Sequence, residues 1–104
     1  YMAPEVYLSE KYNLNVDVYS LGLIMYYLFS NEVPFSNYTA DKMDNYFRSQ
    51  DLMFNTEKIR DKRLRSIINK CICKDPTKRI NINELMEKWN NECEVKTQNK
   101  CIIS

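Results

Sequence analysis

The chain has 104 residues and a formal net charge of +1, with Lys+Arg 15 against Asp+Glu 14, so no summed field favours nucleic acid or an anionic membrane as its main partner. Hydrophobic residues make up 44% and charged residues 28%, which is too apolar for a disordered chain and predicts a packed core. A single Gly beside eight Tyr and four Phe favours helices and excludes a glycine-rich loop for nucleotide phosphates.

The first predicted element is a helix from Val16 to Phe29, which is apolar almost throughout and would be buried on all sides. A transmembrane span is the competing interpretation, but the stretch is shorter than the roughly 18 to 20 apolar residues that a bilayer requires. Asp17 at its start is predicted as an N-cap that also complements the helix dipole. Gly22 inside the helix costs about 1 kcal/mol relative to Ala, which indicates close packing of another segment.

A short helix, more exposed than the first, is predicted after a break at residues 31–34. Thr39 is its expected N-cap, because a threonine hydroxyl can accept a bond from a free backbone N–H group. Met43, Tyr46 and Phe47 then recur at three- and four-residue intervals, as the apolar positions of an amphipathic helix do.

A further amphipathic helix is predicted from about Ile59 to Ile72, ending before Asp75-Pro76 because the residue that precedes proline avoids the α region. Its apolar face comprises Leu64, Ile67, Ile68, Cys71 and Ile72. Its other face carries a basic run from Arg60 to Arg65. We interpret this run as a solvated face and not as a nucleic-acid patch, since nearby acids keep the chain neutral and no aromatic residue interrupts it.

The last predicted helix begins at Asn81, which forms a capping box with Glu84 three positions on. Its expected buried stripe consists of Ile82, Leu85, Met86 and Trp89. The residues after Trp89 are polar and show no periodic pattern, so residues 91–104 are predicted to form a tail.

The four cysteines, Cys71, Cys73, Cys93 and Cys101, make no C-x-x-C spacing, and the absence of His excludes a mixed Cys/His metal site. We interpret them as reduced and incidental, since Cys71 falls on the apolar face of a predicted helix. Together with the lack of a signal peptide, this predicts a cytoplasmic protein. A zinc site built from all four is the alternative.

Four short strings stand in series: Tyr1-Met2-Ala3-Pro4-Glu5, Asp17-Val18-Tyr19-Ser20-Leu21-Gly22, Val33-Pro34-Phe35 and Asp75-Pro76-Thr77-Lys78-Arg79. Each alone is a weak signal. In this order, with helices predicted between them, they resemble the C-terminal lobe of eukaryotic protein kinase domains over about residues 1–90. The resemblance predicts an all-α fold, a helical C-lobe fragment in residues 1–90 followed by the tail of residues 91–104.

Particular roles follow from the resemblance. It implies an ion pair between Glu5 and Arg79 that clamps the end of the activation segment onto the lobe, whereas from the residues alone two unrelated surface charges are an equal alternative. It implies that Asp17 anchors the catalytic loop. Tyr1 and Met2 would end the substrate-positioning loop.

Two features bear on the kinase group. Tyr19 stands where kinases usually carry Trp, which is similar to the tyrosine-kinase-like group of Ser/Thr kinases, and the stretch Lys70-Cys71-Ile72-Cys73 is similar to that group too. Tyr1 before Met-Ala-Pro-Glu resembles Ser/Thr kinases, since tyrosine kinases favour Trp there. The expected substrates are therefore Ser and Thr hydroxyls of proteins.

The implied activity is phosphate transfer from ATP, to which this portion would contribute the substrate-site floor and a scaffold. The reaction also needs a phosphate-covering loop, a paired Lys, metal ligands and a catalytic Asp, and the chain has no V-A-I-K, H-R-D or D-F-G string. We therefore expect no catalytic, cofactor-binding or metal-binding residue here. ATP and Mg would be bound by the missing N-terminal part of the domain, an expectation that fits a chain opening at Tyr1 without an initiator Met.

A non-catalytic product is the alternative function, either vestigial or an interaction module that presents residues 41–47 and 60–65 to a partner. In both cases the helix from Asp17 to Phe29 would lose the segments that should cover it. An apolar patch would then be exposed, which predicts a marginally stable chain that tends to associate.

The last four residues, Cys101-Ile102-Ile103-Ser104, fit a C-a-a-X motif that would be farnesylated at Cys101 if Ser104 is the true C-terminus. One lipid gives only weak membrane binding, and Lys96 and Lys100 add little charge to support it. We favour the alternative of an accidental four-residue match. Membrane contact is expected only if Cys101 is prenylated.

Overall fold

The computed structural model describes residues 1–8 and 15–98, with side chains described as far as Asn91. The regular structure in these residues is helical throughout: α1 Pro4–Tyr7, α2 Asn15–Ser30, α3 Ala40–Arg48, α4 Lys62–Cys71 and α5 Ile82–Gln98. The predicted all-α class is therefore confirmed for the part of the chain that is described. No helix in that part is both long enough and apolar enough to span a bilayer.

The core forms where α2 packs against α4. Tyr19 and Leu23 of α2 are 0% and 1% exposed. Between them, Gly22 approaches α4 so closely that an added Cβ would lie 2.6 Å from the Cβ of Cys71 and 2.7 Å from Cγ2 of Ile72. Close packing at this glycine, which the sequence predicted, is confirmed.

The opposite face of α2 is exposed to solvent. Leu21 is 38% exposed, Ile24 44% and Leu28 66%, so the prediction of burial on all sides is wrong for this chain. The reason is that, among the described segments, α4 covers one side of α2 and the other side is covered only in part. We call the surface of Leu21, Ile24 and Leu28 the open face; it is the exposed apolar patch that the sequence predicted.

The turn between α2 and α3 places two non-glycine residues at positive φ. Asn31, with φ 60°, ends α2, and Phe35 has φ 59°. Phe35 holds the third position of a turn closed by a 3.3 Å bond from the Ser36 N–H to the Val33 carbonyl, a position where glycine is usual. Its ring lies 5.0 Å from that of Tyr46, so aromatic packing offsets a backbone strain of about 1 to 3 kcal/mol.

Helix α3 begins as the sequence predicted. The Thr39 hydroxyl accepts a 3.1 Å bond from the Lys42 N–H, which confirms the N-cap. Its far side is joined to α1: the Tyr7 ring stacks on that of Phe47 at 4.3 Å, and the Tyr7 hydroxyl donates a 2.7 Å bond to Asp44 Oδ1.

Helix α4 starts three residues later than expected, because Asp61 caps it. Asp61 Oδ1 accepts bonds of 2.9 Å from the Arg63 N–H and 3.3 Å from the Leu64 N–H. Ile59 lies in the preceding loop and is 1% exposed, so burial of an apolar residue there does not require a helix. The cap, not the apolar pattern, sets where α4 begins.

Helix α5 begins with the predicted capping box. Asn81 Oδ1 accepts a 2.8 Å bond from the Glu84 N–H, and Glu84 Oε1 accepts a 3.4 Å bond from the Asn81 N–H. The predicted stripe is only half correct: Leu85 is buried, but Ile82 is 48% and Met86 56% exposed. Among the described elements, α4 packs on this helix and the Phe29 ring of α2 lies 6.5 Å from that of Trp89, which leaves Ile82 and Met86 on the uncovered flank of the stripe.

The helical backbone of α5 also continues to Gln98. Residues 91–98 are therefore helical, in contrast to the unpatterned tail expected after Trp89. The division of the chain into a fragment of residues 1–90 and a tail of residues 91–104 stays a prediction.

Candidate functional site

Glu5 and Arg79 form a buried ion pair. Arg79 Nη1 donates a 2.7 Å bond to Glu5 Oε2, and Nη2 donates a 2.9 Å bond to Oε1, while the side chains are 0% and 1% exposed for Arg79 and Glu5. The remaining guanidinium donors reach the carbonyls of Cys73 at 2.8 Å, Asn15 at 3.0 Å and Lys74 at 3.3 Å. A buried charge pair that is bidentate and fully hydrogen-bonded keeps each charge compensated.

Glu5 lies in a short helix, and Arg79 follows a short turn. Pro4 begins α1, where its fixed φ and missing N–H suit the first helical position, and Glu5 follows in the first turn. On the other side, Asp75 Oδ1 accepts bonds of 2.9 Å from the Thr77 N–H and 2.7 Å from the Thr77 hydroxyl. These bonds hold the pKa of Asp75 below its usual value and stabilise the turn that leads to Arg79.

A buried tyrosine pair lies beneath the ion pair. The Arg79 guanidinium carbon is 5.1 Å from the centre of the Tyr19 ring, and the Tyr19 and Tyr46 hydroxyl oxygens are 2.9 Å apart. Burial raises the pKa of Tyr19 and raises that of Tyr46 to about 12, so both phenols are neutral at physiological pH. The pair ties α2 to α3.

Lys74 extends this network to the end of α3. Its ammonium donates a 2.6 Å bond to the Tyr46 carbonyl and a second bond to the Ser49 carbonyl, and lies 4.4 Å from the centre of the Tyr46 ring. Sequence reasoning gave Tyr46 only as an apolar position of α3 and did not single out Lys74. The one available signal was Tyr19 in a place where Trp is usual, since a phenol inside a core needs a polar partner.

The chain start lies on α2. Tyr1 and Met2 are 58% and 52% exposed, and the Ser20 hydroxyl donates a 2.6 Å bond to the Tyr1 carbonyl. Their side chains are therefore free to face a ligand while the backbone is held against the helix.

Asp17 is not the N-cap that the sequence predicted. Helix α2 begins two residues earlier, at Asn15, so Asp17 lies in the first turn, with its side chain exposed. A carboxylate there still complements the helix dipole. Its role as an anchor for a catalytic loop stays a prediction.

The structure describes the side chains of two of the four cysteines, Cys71 and Cys73. Cys71 is fully buried, and burial raises the pKa of its thiol to about 12, which disfavours the thiolate that a zinc site needs. Cys71 and Cys73 are free thiols. The side chain of Cys93, and Cys101 with its C-a-a-X motif, lie outside the part of the chain that the structure describes.

The family model that describes the protein kinase domain matches residues 1–89. The chain belongs to the protein kinase family. Dual specificity protein kinase shkE of Dictyostelium discoideum is 36% identical over 97 residues, which cover 86% of this kinase chain and 13% of that protein. Serine/threonine-protein kinase ppk34 of Schizosaccharomyces pombe is 33% identical over 89 residues, covering 83% of this chain and 25% of that protein.

Solved structures agree with the assignment of this kinase chain. The twitchin kinase region from C. elegans matches it with a TM-score of 0.70 and 25% identity, over 84% of this chain and 16% of that one. The chain thus spans a quarter or less of the length of these relatives. The predicted resemblance to a kinase C-lobe fragment is confirmed.

Proposed function

We propose that this chain is the C-terminal part of a kinase catalytic domain that transfers phosphate from ATP to Ser and Thr hydroxyls of proteins. The chain supplies the floor of the substrate site and the scaffold of the catalytic loop, and the catalytic residues lie outside it. The observation that carries the proposal is the buried, bidentate pair of Glu5 and Arg79. It fastens the segment that begins with Tyr1 and Met2 to the helical base.

The proposed contact with a protein substrate is supported by the first two residues. Tyr1 and Met2 have exposed side chains on an anchored backbone, an arrangement that suits contact with an extended peptide. Ser/Thr specificity is supported by Tyr1 before Met-Ala-Pro-Glu and by the Ser/Thr kinase name of the yeast relative. The dual specificity name of the Dictyostelium relative makes Tyr the competing acceptor.

Asp17 would hold the catalytic loop from below. Its carboxylate is exposed in the first turn of α2, so it can accept bonds from backbone N–H groups of a segment that packs there. Such an indirect contact makes Asp17 a positioning residue in this proposal.

We propose that ATP and Mg are bound by residues outside this chain, because the sequence holds neither the H-R-D string nor the D-F-G string that supply the catalytic and metal-binding side chains. Within the described ranges, no three Cys, Asp or Glu side chains cluster, and the buried Glu5 carboxylate is occupied by Arg79. We therefore derive no catalytic step through this chain and assign both ligands to the rest of the domain.

A non-catalytic interaction module is the second candidate. The open face of α2 favours it, because an exposed apolar patch is typical of a surface that binds another protein. The surface at residues 41–47 is less suited to this role than the sequence suggested, because Tyr46 and Phe47 are buried. The rest of a kinase domain could equally cover the open face.

The two functions are separated by the size and activity of the endogenous protein. We expect an antibody against residues 90–100 to detect a species long enough for a whole kinase domain. That species, purified, should transfer labelled phosphate from ATP to casein, and acid hydrolysis should yield phosphoserine and phosphothreonine. A species near 12.5 kDa without transferase activity would support the second candidate. Label found only on tyrosine would overturn the proposed acceptor.

The cellular location stays a prediction as well. We propose a cytoplasmic kinase, with membrane contact only if Cys101 carries a prenyl group. Fractionation of cells, with and without a farnesyltransferase inhibitor, would test both statements.

A further inference from the structure

A basic surface lies along α4 and the middle of α5. One groove there, of about 280 Å³, is lined by Lys62, Arg63, Ser66, Ile67, Lys88 and Asn91. An adjoining cleft of about 440 Å³ is lined by Lys62, Arg65, Ser66, Asn69, Lys70, Cys73 and Lys78. The two share Lys62 and Ser66, and among these described residues there is no carboxylate. We call the continuous surface the basic groove.

The basic groove contrasts with the even charge of the chain. Lys+Arg 15 and Asp+Glu 14 nearly cancel overall, yet the cations of this surface are gathered on one side of two helices. Of the nearby acids, Asp61 caps α4 and also lies 3.9 Å from Arg63. Glu84 faces Lys70 and is engaged in the capping box of α5. Among the described side chains, these two acids therefore offset only part of the positive charge of the groove.

Two lysines of the groove lie near each other where α4 packs on α5. Lys70 on α4 and Lys88 on α5 approach closely enough for the Lys88 ammonium to hold the pKa of Lys70 below its usual value. Contact between like charges is unfavourable for folding. An anion placed between the two ammonium groups would remove the repulsion, so this position favours a negatively charged ligand.

The spacing along α4 indicates the shape of that ligand. Lys62, Ser66 and Lys70 follow one another at four-residue intervals, so they form a row with steps of about 6 Å and a length of about 12 Å. Alternate side chains of an extended peptide lie about 6 to 7 Å apart on one face. Acidic residues at every second position of an extended segment would therefore match the row.

The lining disfavours the other common polyanions. Neither opening is lined by an aromatic residue, whereas single-stranded nucleic acids are usually held by base stacking on aromatic side chains. A membrane surface would be expected to meet exposed apolar residues beside the cations. A protein segment fits the groove best.

We propose that the basic groove docks an extended acidic segment of a partner protein, with Asp or Glu at alternate positions. Its contacts are charge-assisted bonds from Lys62, Lys70 and Lys88, with the Ser66 hydroxyl between them. The proposal concerns a surface made by α4 and α5 and does not depend on phosphate transfer.

The proposal is tested by measuring how short labelled peptides bind to the full-length protein. The probe is fluorescein-labelled Ser-Glu-Ser-Glu-Ser-Glu-Ser, and its isomer Ser-Ser-Glu-Glu-Glu-Ser-Ser carries the same charge at different spacing. We expect fluorescence anisotropy to show binding of the alternating peptide, tighter than that of the isomer and weakened by added salt. Lys70→Gln/Lys88→Gln should weaken it about five- to ten-fold.

The matched control is Lys42→Gln/Lys58→Gln, which removes the same charge from exposed lysines on other surfaces. It should change the affinity less than two-fold by the same reasoning. If the first double variant fails to fold by circular dichroism, Lys62→Gln gives a second test at the other end of the row. An equal loss in the control, no binding of either peptide, or tighter binding of oligouridine or phosphatidylserine vesicles at the same lysines would overturn the proposal.

Discussion

The two faces of α2 are similar in sequence and opposite in structure. On one face, Tyr19, Gly22 and Leu23 are buried, and Gly22 lies directly against the end of α4. On the other, Leu21, Ile24 and Leu28 are as apolar but lie open to solvent. The difference teaches that an apolar helix surface predicts packing against another segment. It does not predict whether that segment belongs to the same chain.

The covered face also differs in how it is held. Gly22 allows backbone contact with Cys71 and Ile72, and the ion pair closes over Tyr19 through the Arg79 guanidinium. Both features need specific residues, whereas the open face needs only hydrophobicity. The predictions below test whether the covered face carries the stability of this chain and the open face its association.

Glu5→Gln should have the largest effect, because it leaves Arg79 charged and buried without a counter-charge. Breaking a buried pair of this kind costs about 3 to 5 kcal/mol, which is enough to unfold a marginally stable chain. Urea unfolding followed by circular dichroism measures the loss. The control is Glu32→Gln, which removes the exposed pair with Lys58 at 3.6 Å and should change little. Equal stability of the two variants would contradict a clamp at Glu5.

Gly22→Ala should destabilise the covered face by a smaller amount. Its Cβ would overlap the Cβ of Cys71 at 2.6 Å, which is a side-chain atom fixed to the α4 backbone. Overpacking costs about 1 to 3 kcal/mol, and the better helix propensity of Ala returns about 1 kcal/mol. The control is Leu21→Ala on the open face, which should leave the unfolding free energy nearly unchanged. A more stable Gly22→Ala chain would show that the helices can move apart without loss.

Ile24→Glu/Leu28→Glu should act on association and not on folding. Each side chain contributes about 1.5 to 3 kcal/mol when fully buried, so loss of both should raise the dissociation constant for the predicted self-association of the isolated chain more than ten-fold. Sedimentation velocity at several concentrations measures this change, with unfolding in urea as the check on stability. The matched variant is Ile82→Glu/Met86→Glu, on the exposed flank of α5. If that variant disperses the chain equally well, the open face is not the specific contact.

Most of the fold was predictable because local chemistry decides it. Thr39 and the Asn81 and Glu84 capping box mark helix starts in the sequence, and each forms as expected. Asp61 carries the same chemistry, but the predicted helix began before it, at about Ile59, because apolar residues and not the cap were used to place its start. A cap is a stronger boundary signal than periodicity, since an apolar residue such as Ile59 is buried equally well from a loop.

The parts that sequence did not predict depend on tertiary contacts. The exposure of Ile82 and Met86 follows from which segments surround α5, and periodicity does not carry that information. The bond between Tyr19 and Tyr46 joins residues 27 positions apart. From the residues alone, pairing of Glu5 with Arg79 and two unrelated surface charges were equal alternatives, because nothing local links residues 74 positions apart; the family resemblance favoured the pair. The roles of Asp17, Tyr1 and Met2 in a complete kinase stay predictions.

The smallest effect on stability is expected at the contact between α1 and α3, away from both faces of α2. The Tyr7 hydroxyl, and next Arg48, hold the pKa of Asp44 below its ordinary value. Because the folded-state pKa is lowered, this contact contributes stability above the unfolded-state pKa of Asp44, and the contribution is lost as pH falls through the lower, folded value. Tyr7→Phe keeps the stacking on Phe47 but removes the bond, so the Asp44 pKa should rise towards its ordinary value. Carbon-detected NMR titration of the Asp44 carboxyl measures the shift, with Tyr38→Phe as the control. An unchanged titration midpoint in Tyr7→Phe would assign the lowered pKa to Arg48 alone and leave α1 held by stacking and the buried ion pair.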